Sequence, residues 1–447
     1  MRKREGQKLS EELKKYGYEF SLKREVIKLF LIVAAVLVMG LLFEIRPVCL
    51  TALYVLIMSI MPFWLKNYYR RKFEQQKFSD INIYLEQFLY SLQKSKKLLV
   101  ALNDVYDIFE EGQMKKTLAK AIKYISSTFN DSSVERSGLK IIEEEYDYEM
   151  VRTVHRFAMR VENTGGDIAS GITLLLDSRR MWADRNYELL KEKQQKRLQI
   201  FLSIVTSIGL CYVVYRMASQ MGVDISENML VQGATIVMLF LDVTIYYIAD
   251  LQLSKMDNDA GESLSLPRYK RYVAYDENKL LGRLGKSMIR GKVTRDLERA
   301  FPQWLMQVSL LLQSENVQVA IFKSIGDAPE ILKPELESLK EKLVANPNGI
   351  KPYMEFLQDF TLPEVRSSMK MLYSLSEGGG GDSSVQIANI IGRNEKMLDK
   401  AEKLRAEDSM AGLHGLFLAP QLSAGFKMLI DMIIMLLMYM SSNAAAV

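Results

Sequence analysis

Five long runs of apolar residues recur along the chain. They lie at 26–43, 48–65, 198–215, 229–249 and 421–441. Each is close to the ~20 residues that an α-helix needs to cross about 30 Å of hydrocarbon. The pattern therefore predicts five membrane-spanning helices. We do not expect a cleaved signal peptide, because the first run lacks a clear cleavage site and is followed at once by the second.

The positions of lysine and arginine near the runs predict the orientation. The N-terminal tail, KNYYRRK at 66–72 and KEKQQKR at 191–197 are basic, whereas residues 44–47 and 219–228 carry almost no positive charge. Positive charge favours the cytoplasmic side of a membrane. The sequence therefore predicts a multi-pass protein of the cytoplasmic (inner) membrane, with its N-terminus inside, its C-terminus outside and most of its polar mass in the cytoplasm.

The last run contains two charged residues, Lys427 and Asp431. Their i,i+4 spacing places both on one face of a helix, where pairing would lower the cost of burying them in a bilayer. The run is predicted to cross once, although a hairpin is an alternative that the sequence leaves open.

The two long polar segments, 66–197 and 250–415, have helical periodicity. In 81–99 the apolar residues recur every three or four positions, and 301–322 repeats the arrangement. A shift of 220 residues aligns Leu85 with Leu305 and Leu92 with Leu312. No strand-like alternation of polar and apolar residues stands out. The pattern predicts an all-α polytopic membrane protein with two repeated cytoplasmic bundles of antiparallel helices.

This interpretation divides the chain into seven segments. They are a cytoplasmic tail (1–25), two transmembrane helices (26–65), a first repeat (66–197), two transmembrane helices (198–249), a cytoplasmic linker (250–296), a second repeat (297–415) and a C-terminal transmembrane helix (421–441).

A short acidic, glycine-rich motif occurs once in each repeat, as ENTGGD at 162–167 and EGGGGD at 377–382. Glycines can end one helix by adopting left-handed backbone angles, and an aspartate can cap the next helix. The structural positions of the motif are Gly165, Gly166, Asp167, Gly380, Gly381 and Asp382. As an alternative, Glu162, Asp167, Glu377 and Asp382 could hold a divalent cation. The spacing does not require one, and no other cofactor is expected.

The E-x-x-G-G-D pattern, placed late in a helical domain that leads into a membrane run, resembles the type II secretion F domain. Members of this family are inner-membrane platform proteins of type II secretion systems, type IV pili and tight-adherence (Flp/Tad) pili. The resemblance covers roughly 80–215 and 297–440, about 60% of the chain. The additional pair of runs at 26–65 is more similar to the tight-adherence members.

The resemblance implies a protein that is not an enzyme. It implies an assembly platform that couples a cytoplasmic secretion ATPase to the insertion or extraction of pilin-like subunits. Membrane lipids and either a second copy or a paralogous platform protein would be further partners. The candidate contact residues lie mainly on the helices after each motif: Arg179, Arg180, Arg185, Arg393, Lys396 and Lys400, with Asp242 in the fourth run. A solvated face for the basic residues, and a hydrogen bond within the helix bundle for Asp242, are the alternatives.

Composition narrows the functional classes. The two cysteines, Cys49 and Cys211, both fall in predicted crossings, which excludes a disulfide framework. The two histidines, His155 and His414, have no neighbouring ligand residues at metal spacing. The net charge of +5 is small, and its basic clusters flank membrane runs, so anionic lipid is a better partner than nucleic acid. The acidic run 143–149 is interpreted as solvated surface.

Two other functions compete with the platform interpretation. Gly379, Gly381 and Asp382 match the GxGD string of intramembrane aspartyl peptidases such as prepilin peptidases, but that chemistry needs two aspartates at bilayer depth, and Asp382 lies in a charged segment. A membrane transporter is the second alternative, although the polar mass exceeds what a transport cycle needs.

Overall fold

A computed structural model of the 447-residue chain describes residues 22–127, 134–164, 168–254, 262–274, 280–378, 383–410 and 413–444. Every regular element in these ranges is a helix, which confirms the predicted all-α class. The sixteen helices are α1 (Leu22–Leu42), α2 (Pro47–Ser95), α3 (Leu98–Ile108), α4 (Gln113–Ser127), α5 (Val134–Glu145), α6 (Glu149–Thr164), α7 (Ala169–Gln220), α8 (Met229–Leu253), α9 (Glu262–Ala274), α10 (Leu280–Leu311), α11 (Val317–Ser324), α12 (Lys333–Ala345), α13 (Lys351–Glu355), α14 (Pro363–Ser376), α15 (Ser383–Met410) and α16 (Leu413–Ala444).

Four of these helices, α2, α7, α8 and α16, are long and apolar enough to cross a membrane. The first predicted run forms a shorter apolar helical segment, Val26–Leu42. The last run belongs to one continuous helix, α16, with Pro420 inside it, and is not a hairpin. Four of the five predicted crossings are thus supported by length and composition.

The described parts of residues 1–76, 188–256 and 408–447 form one compact unit, which we call the membrane unit. Its apolar core draws on α1, α2, α7, α8 and α16. At one end of the unit the loops after α1 and α7 meet: the Gln232 amide bonds to the backbone carbonyls of Glu44 (3.1 Å) and Ser226 (2.7 Å), and the Arg46 guanidinium donates to the Glu227 carbonyl (2.9 Å). The two weakly charged predicted loops therefore lie together.

The described parts of residues 77–187 and 257–407 form a second compact unit, which we call the helical unit. It contains two apolar cores, because its helices carry buried residues at three- and four-residue spacing. The first core lies among α3 to α6 and the adjoining parts of α2 and α7, with Tyr84, Phe88 and Tyr146 fully buried. The second lies among α9 to α15 around Trp304.

The two cores of the helical unit are joined by α10. Met306 and Leu310 of this helix pack into the first core. The Gln307 amide donates to the Thr153 hydroxyl at 3.1 Å. A Cβ at Gly171 would lie 2.6 Å from a ring carbon of Phe157, so the start of α7 needs glycine to approach this closely.

The helices and compact units do not follow the boundaries of the predicted segments. Residues 280–296, assigned to a linker, are the first half of α10, and this helix continues through position 297 without a break. Both predicted repeats also share one compact unit, and residues 66–76 and 188–197 belong to the membrane unit.

Candidate functional sites

Glu162 of the first acidic motif lies near the end of α6, where it helps to cap another helix. Its Oε2 accepts a hydrogen bond from the backbone N–H of Leu98 at 3.3 Å. Lys97, which precedes α3, makes no side-chain cap of its own. Burial raises the pKa of Glu162, and the nearby charge of Glu135 adds to this effect. Glu162 therefore links the start of α3 to the end of α6.

Glu377 of the second motif is exposed and follows the last residue of α14. Gly378 has a left-handed φ of 63°, which matches the expectation that glycine ends this helix. α11, which begins 219 positions after α3, has its own cap: Asn316 Oδ1 accepts from the Val319 N–H at 2.9 Å. The two motif glutamates thus have different surroundings.

The remaining motif residues, Gly165, Gly166, Asp167, Gly380, Gly381 and Asp382, lie outside the described residues. Within the ranges that the structure describes, no group of three or more His, Cys, Asp or Glu side chains could hold a metal ion. The divalent cation therefore stays a prediction.

The three basic candidates on α7 differ in exposure. Arg179 is buried, donates to Asn82 Oδ1 at 2.6 Å and forms an ion pair with Glu86 at 3.3 Å. Arg180 is exposed, and Arg185 is partly buried. Only Arg180 of the three is therefore placed to meet a partner without the loss of a buried contact.

The second set lies on α15, where Arg393 is partly buried and Lys396 and Lys400 are exposed. Lys400 forms ion pairs with Glu364 (3.0 Å) and Glu298 (3.5 Å). The hydrogen bond to Glu364 raises the pKa of Lys400 and lowers that of Glu364. Lys396 is therefore the most available cation of this set.

The helices that carry the two basic sets lie against the same core. Ile391 and Leu398 of α15 pack on the first core, to which α7 also contributes. Burial raises the pKa of Glu395 on α15, the charge of Asp177 on α7 raises it further, and the charge of Arg185 opposes both. The structure therefore brings the two predicted contact helices together within the helical unit.

Asp242, the charged residue of the fourth apolar run, is 2% exposed within the membrane unit. Its carboxylate accepts from the Ser423 hydroxyl at 3.0 Å and, more weakly, from the Ser207 hydroxyl at 3.5 Å. These contacts join α7, α8 and α16 and match the helix-to-helix alternative. Contact with a partner stays a prediction, and it would require these helices to separate.

Lys427 and Asp431 form the predicted i,i+4 ion pair, and both side chains are fully buried. The Lys427 ammonium also lies 5.1 Å from the ring centroid of Phe43 and 5.7 Å from that of Tyr215. Asp431 Oδ1 has no hydrogen-bond partner. The pair is therefore inside the membrane unit rather than on its lipid-facing surface.

Sequence reasoning missed a buried hydrogen-bond chain in the first core. His155 lies between the Tyr84 hydroxyl, 2.7 Å from Nε2, and Glu143 Oε1, 2.9 Å from Nδ1. Burial lowers the pKa of His155, although the Glu143 carboxylate opposes this effect. Burial alone would raise the pKa of Glu143, but the bond from His155 and nearby positive charges lower it. The sequence signal that could have revealed this chain was the position of His155 on the inward-facing side of α6.

A second missed group consists of Arg71, Arg197 and Asp250, which form a buried ion-pair cluster in the membrane unit. Each lies next to the end of an apolar run, which was visible in the sequence. The sequence could not show that these three residues meet, because they are more than fifty residues apart along the chain.

Comparison with protein-family models, with curated proteins and with solved structures gives no match. The functional argument therefore rests on the residues and contacts of this chain.

Proposed function

We propose that this protein is the inner-membrane assembly platform of a pilus or type II secretion machine, and that it acts as a scaffold rather than as an enzyme. In this role, its helical unit contacts a cytoplasmic secretion ATPase. Its membrane-spanning helices handle pilin-like subunits, alone or beside a second copy or a paralogous platform protein.

The observation that carries the proposal is the correspondence between two sets of six helical segments. The first set is the end of α2 followed by α3 to α7, and the second is α10 to α15. The buried residues of α3 (Leu98, Ala101, Leu102 and Val105) coincide after 219 positions with those of α11 (Val317, Ala320, Ile321 and Ser324). The resemblance to the F-domain family rests on the same two copies, each followed by a membrane run.

The fifth helices of the two sets, α6 and α14, agree in the same way. Four buried residues of α6 (Val151, Val154, His155 and Ala158) coincide after 214 positions with those of α14 (Val365, Ser368, Met369 and Leu372). Each of these helices precedes one copy of the acidic motif. Any amphipathic helix can bury residues at this spacing, so the support for a duplicated fold comes from the recurrence of both faces in the same order and at nearly the same offset, 219 and 214 positions.

Two long helices support a platform that spans a membrane. α2 has 49 residues and α7 has 52, and each contains a candidate membrane span.

The position of the buried aspartates weighs against the peptidase alternative. An aspartyl peptidase needs two carboxylates that share a proton. Asp242 bonds to Ser423, and Asp431 lies eight residues further along α16, roughly 12 Å along the helix axis. Asp431 is also paired with Lys427. A transporter remains the second alternative, favoured only by the burial of these charges among the membrane-spanning helices.

Charge reversal at exposed positions tests the contact with the ATPase. We expect the double variant Arg180→Glu, Lys396→Glu to weaken binding of the full-length, detergent-solubilised protein to a secretion ATPase of the same organism. The expected loss is about tenfold or more at low salt and smaller at high salt, because exposed charges act over a screened range.

A matched control keeps the same number of reversed charges. Lys120→Glu with Lys370→Glu changes exposed residues of α4 and α14 and should leave the affinity within about twofold. Equal losses in both double variants would contradict the predicted contact. An absence of any association at low salt, or ATP hydrolysis or prepilin cleavage by the purified protein alone, would contradict the platform function itself.

A further inference from the structure

Asp250, at the end of α8, lies at the centre of a charged cluster in the membrane unit. Its side chain is buried, and its Oδ1 accepts from Arg71 Nη1 at 2.5 Å and from Arg197 Nε at 2.9 Å. Its Oδ2 accepts from the Asn67 amide at 2.7 Å. Both carboxylate oxygens are therefore occupied by residues of α2 and α7.

The cluster lies near the level where three apolar runs end. Arg71 follows the run 48–65, Arg197 precedes the run 198–215, and Asp250 follows the run 229–249. A membrane-spanning helix enters the headgroup region where its apolar run stops. The cluster is consequently at the depth of phospholipid phosphates, on the side opposite to the loops joined by Gln232.

The cluster carries an excess of positive charge. Two guanidinium groups share one carboxylate, and among the described residues neither arginine pairs with a second acid. Arg197 also donates to the Ser254 hydroxyl at 3.3 Å. The Arg71 and Arg197 side chains stay 23% and 15% exposed, so both remain partly accessible from outside the cluster.

We infer that Arg71 and Arg197 form a binding site for the phosphate of an anionic phospholipid headgroup. Guanidinium groups bind phosphate oxygens through paired N–H donors, and their planar shape favours this geometry over that of an ammonium group. Basic sites between membrane-spanning helices at headgroup depth are suited to anionic lipids. The Asp250 carboxylate orients the two guanidiniums and leaves one positive charge for the ligand.

Short-chain lipids provide a direct test on the full-length protein in a neutral detergent. We would titrate phosphatidylglycerol, phosphatidylcholine and inorganic phosphate separately, and follow thermal stability and retention of lipid by native mass spectrometry. Phosphatidylglycerol should stabilise the wild type and stay bound, whereas phosphatidylcholine should not. Stabilisation by inorganic phosphate equal to that by phosphatidylglycerol would overturn the assignment to a lipid.

Two arginines adjacent in sequence separate a specific site from general surface charge. Arg71→Gln leaves a neutral Arg197–Asp250 pair and should lower the apparent affinity for phosphatidylglycerol about fivefold or more. Arg70→Gln removes the same charge from an exposed position on the same helix and should leave the affinity within about twofold. Equal losses in both variants would overturn the site.

A third variant changes the charge in the opposite direction. Asp250→Asn removes the negative charge that competes with the ligand but keeps one side-chain oxygen that can accept from both guanidiniums, so phosphatidylglycerol should stabilise this variant at least as much as the wild type. This measurement also decides the matter if Arg71→Gln does not fold. Loss of the lipid response in Asp250→Asn would overturn the inference, and it would leave the ATPase contact untouched, because Arg180 and Lys396 are unchanged.

Discussion

The buried Lys427–Asp431 pair allows a quantitative prediction about the membrane unit. Lys427→Met removes the only cation that is bonded to Asp431 among the described residues, and Asp431 Oδ1 already lacks a hydrogen-bond partner there. Removal of one member of a buried pair typically costs about 3–5 kcal/mol, because the other charge stays buried without compensation. We therefore expect Lys427→Met to lower the free energy of unfolding by about this amount.

The double variant Lys427→Met, Asp431→Leu should recover most of that loss. Replacement of a buried ion pair by apolar residues of similar volume is often neutral or stabilising. The contacts of the ammonium with Phe43 and Tyr215 are lost, at a cost of about 0.5–2 kcal/mol each. These effects oppose each other, so the double variant should lie within about 2 kcal/mol of the wild type.

Unfolding by sodium dodecyl sulfate in mixed micelles, followed by far-UV circular dichroism, measures these differences. Met432→Leu, at an exposed position of α16, is the control and should change the free energy of unfolding by less than about 0.5 kcal/mol. The reasoning is refuted if Lys427→Met costs less than about 1 kcal/mol, or if the double variant loses as much as the two single variants together.

Two further predictions concern the buried histidine and the orientation of the chain. Because burial lowers the pKa of His155, the unfolded chain takes up a proton first as the pH falls, and the free energy of unfolding should decrease as the pH drops below about 6.5. His155→Met should flatten this dependence between pH 5 and 7 and lower the stability at pH 8. An unchanged pH profile of this variant would contradict the assignment. In a cysteine-free background, an impermeant maleimide applied to intact cells should label a cysteine at Asp224 but not one at Ile350, and labelling at Ile350 would refute the predicted topology.

The sequence alone determined the elements of this protein and their class. Helical periodicity and long apolar runs depend on neighbouring residues, so they predicted an all-α chain with membrane-spanning helices, and the structure supports four of the five spans. The same local reasoning paired Lys427 with Asp431, because residues four positions apart on one helix must lie on the same face. Local rules also placed the second glycine-rich motif at a helix end, where Gly378 adopts a left-handed conformation.

Only the tertiary structure decided which distant residues meet. Periodicity reveals which face of a helix is buried but not against which helix, so it could not join Arg71 and Arg197 to Asp250, or His155 to Tyr84 and Glu143. For the same reason the sequence treated the two basic sets as equivalent surfaces. Packing gives the individual basic residues different exposures: Arg179 is buried beside Asn82 and Glu86, whereas its neighbour Arg180 is exposed. The difference arises because successive residues of a helix are rotated by about 100°.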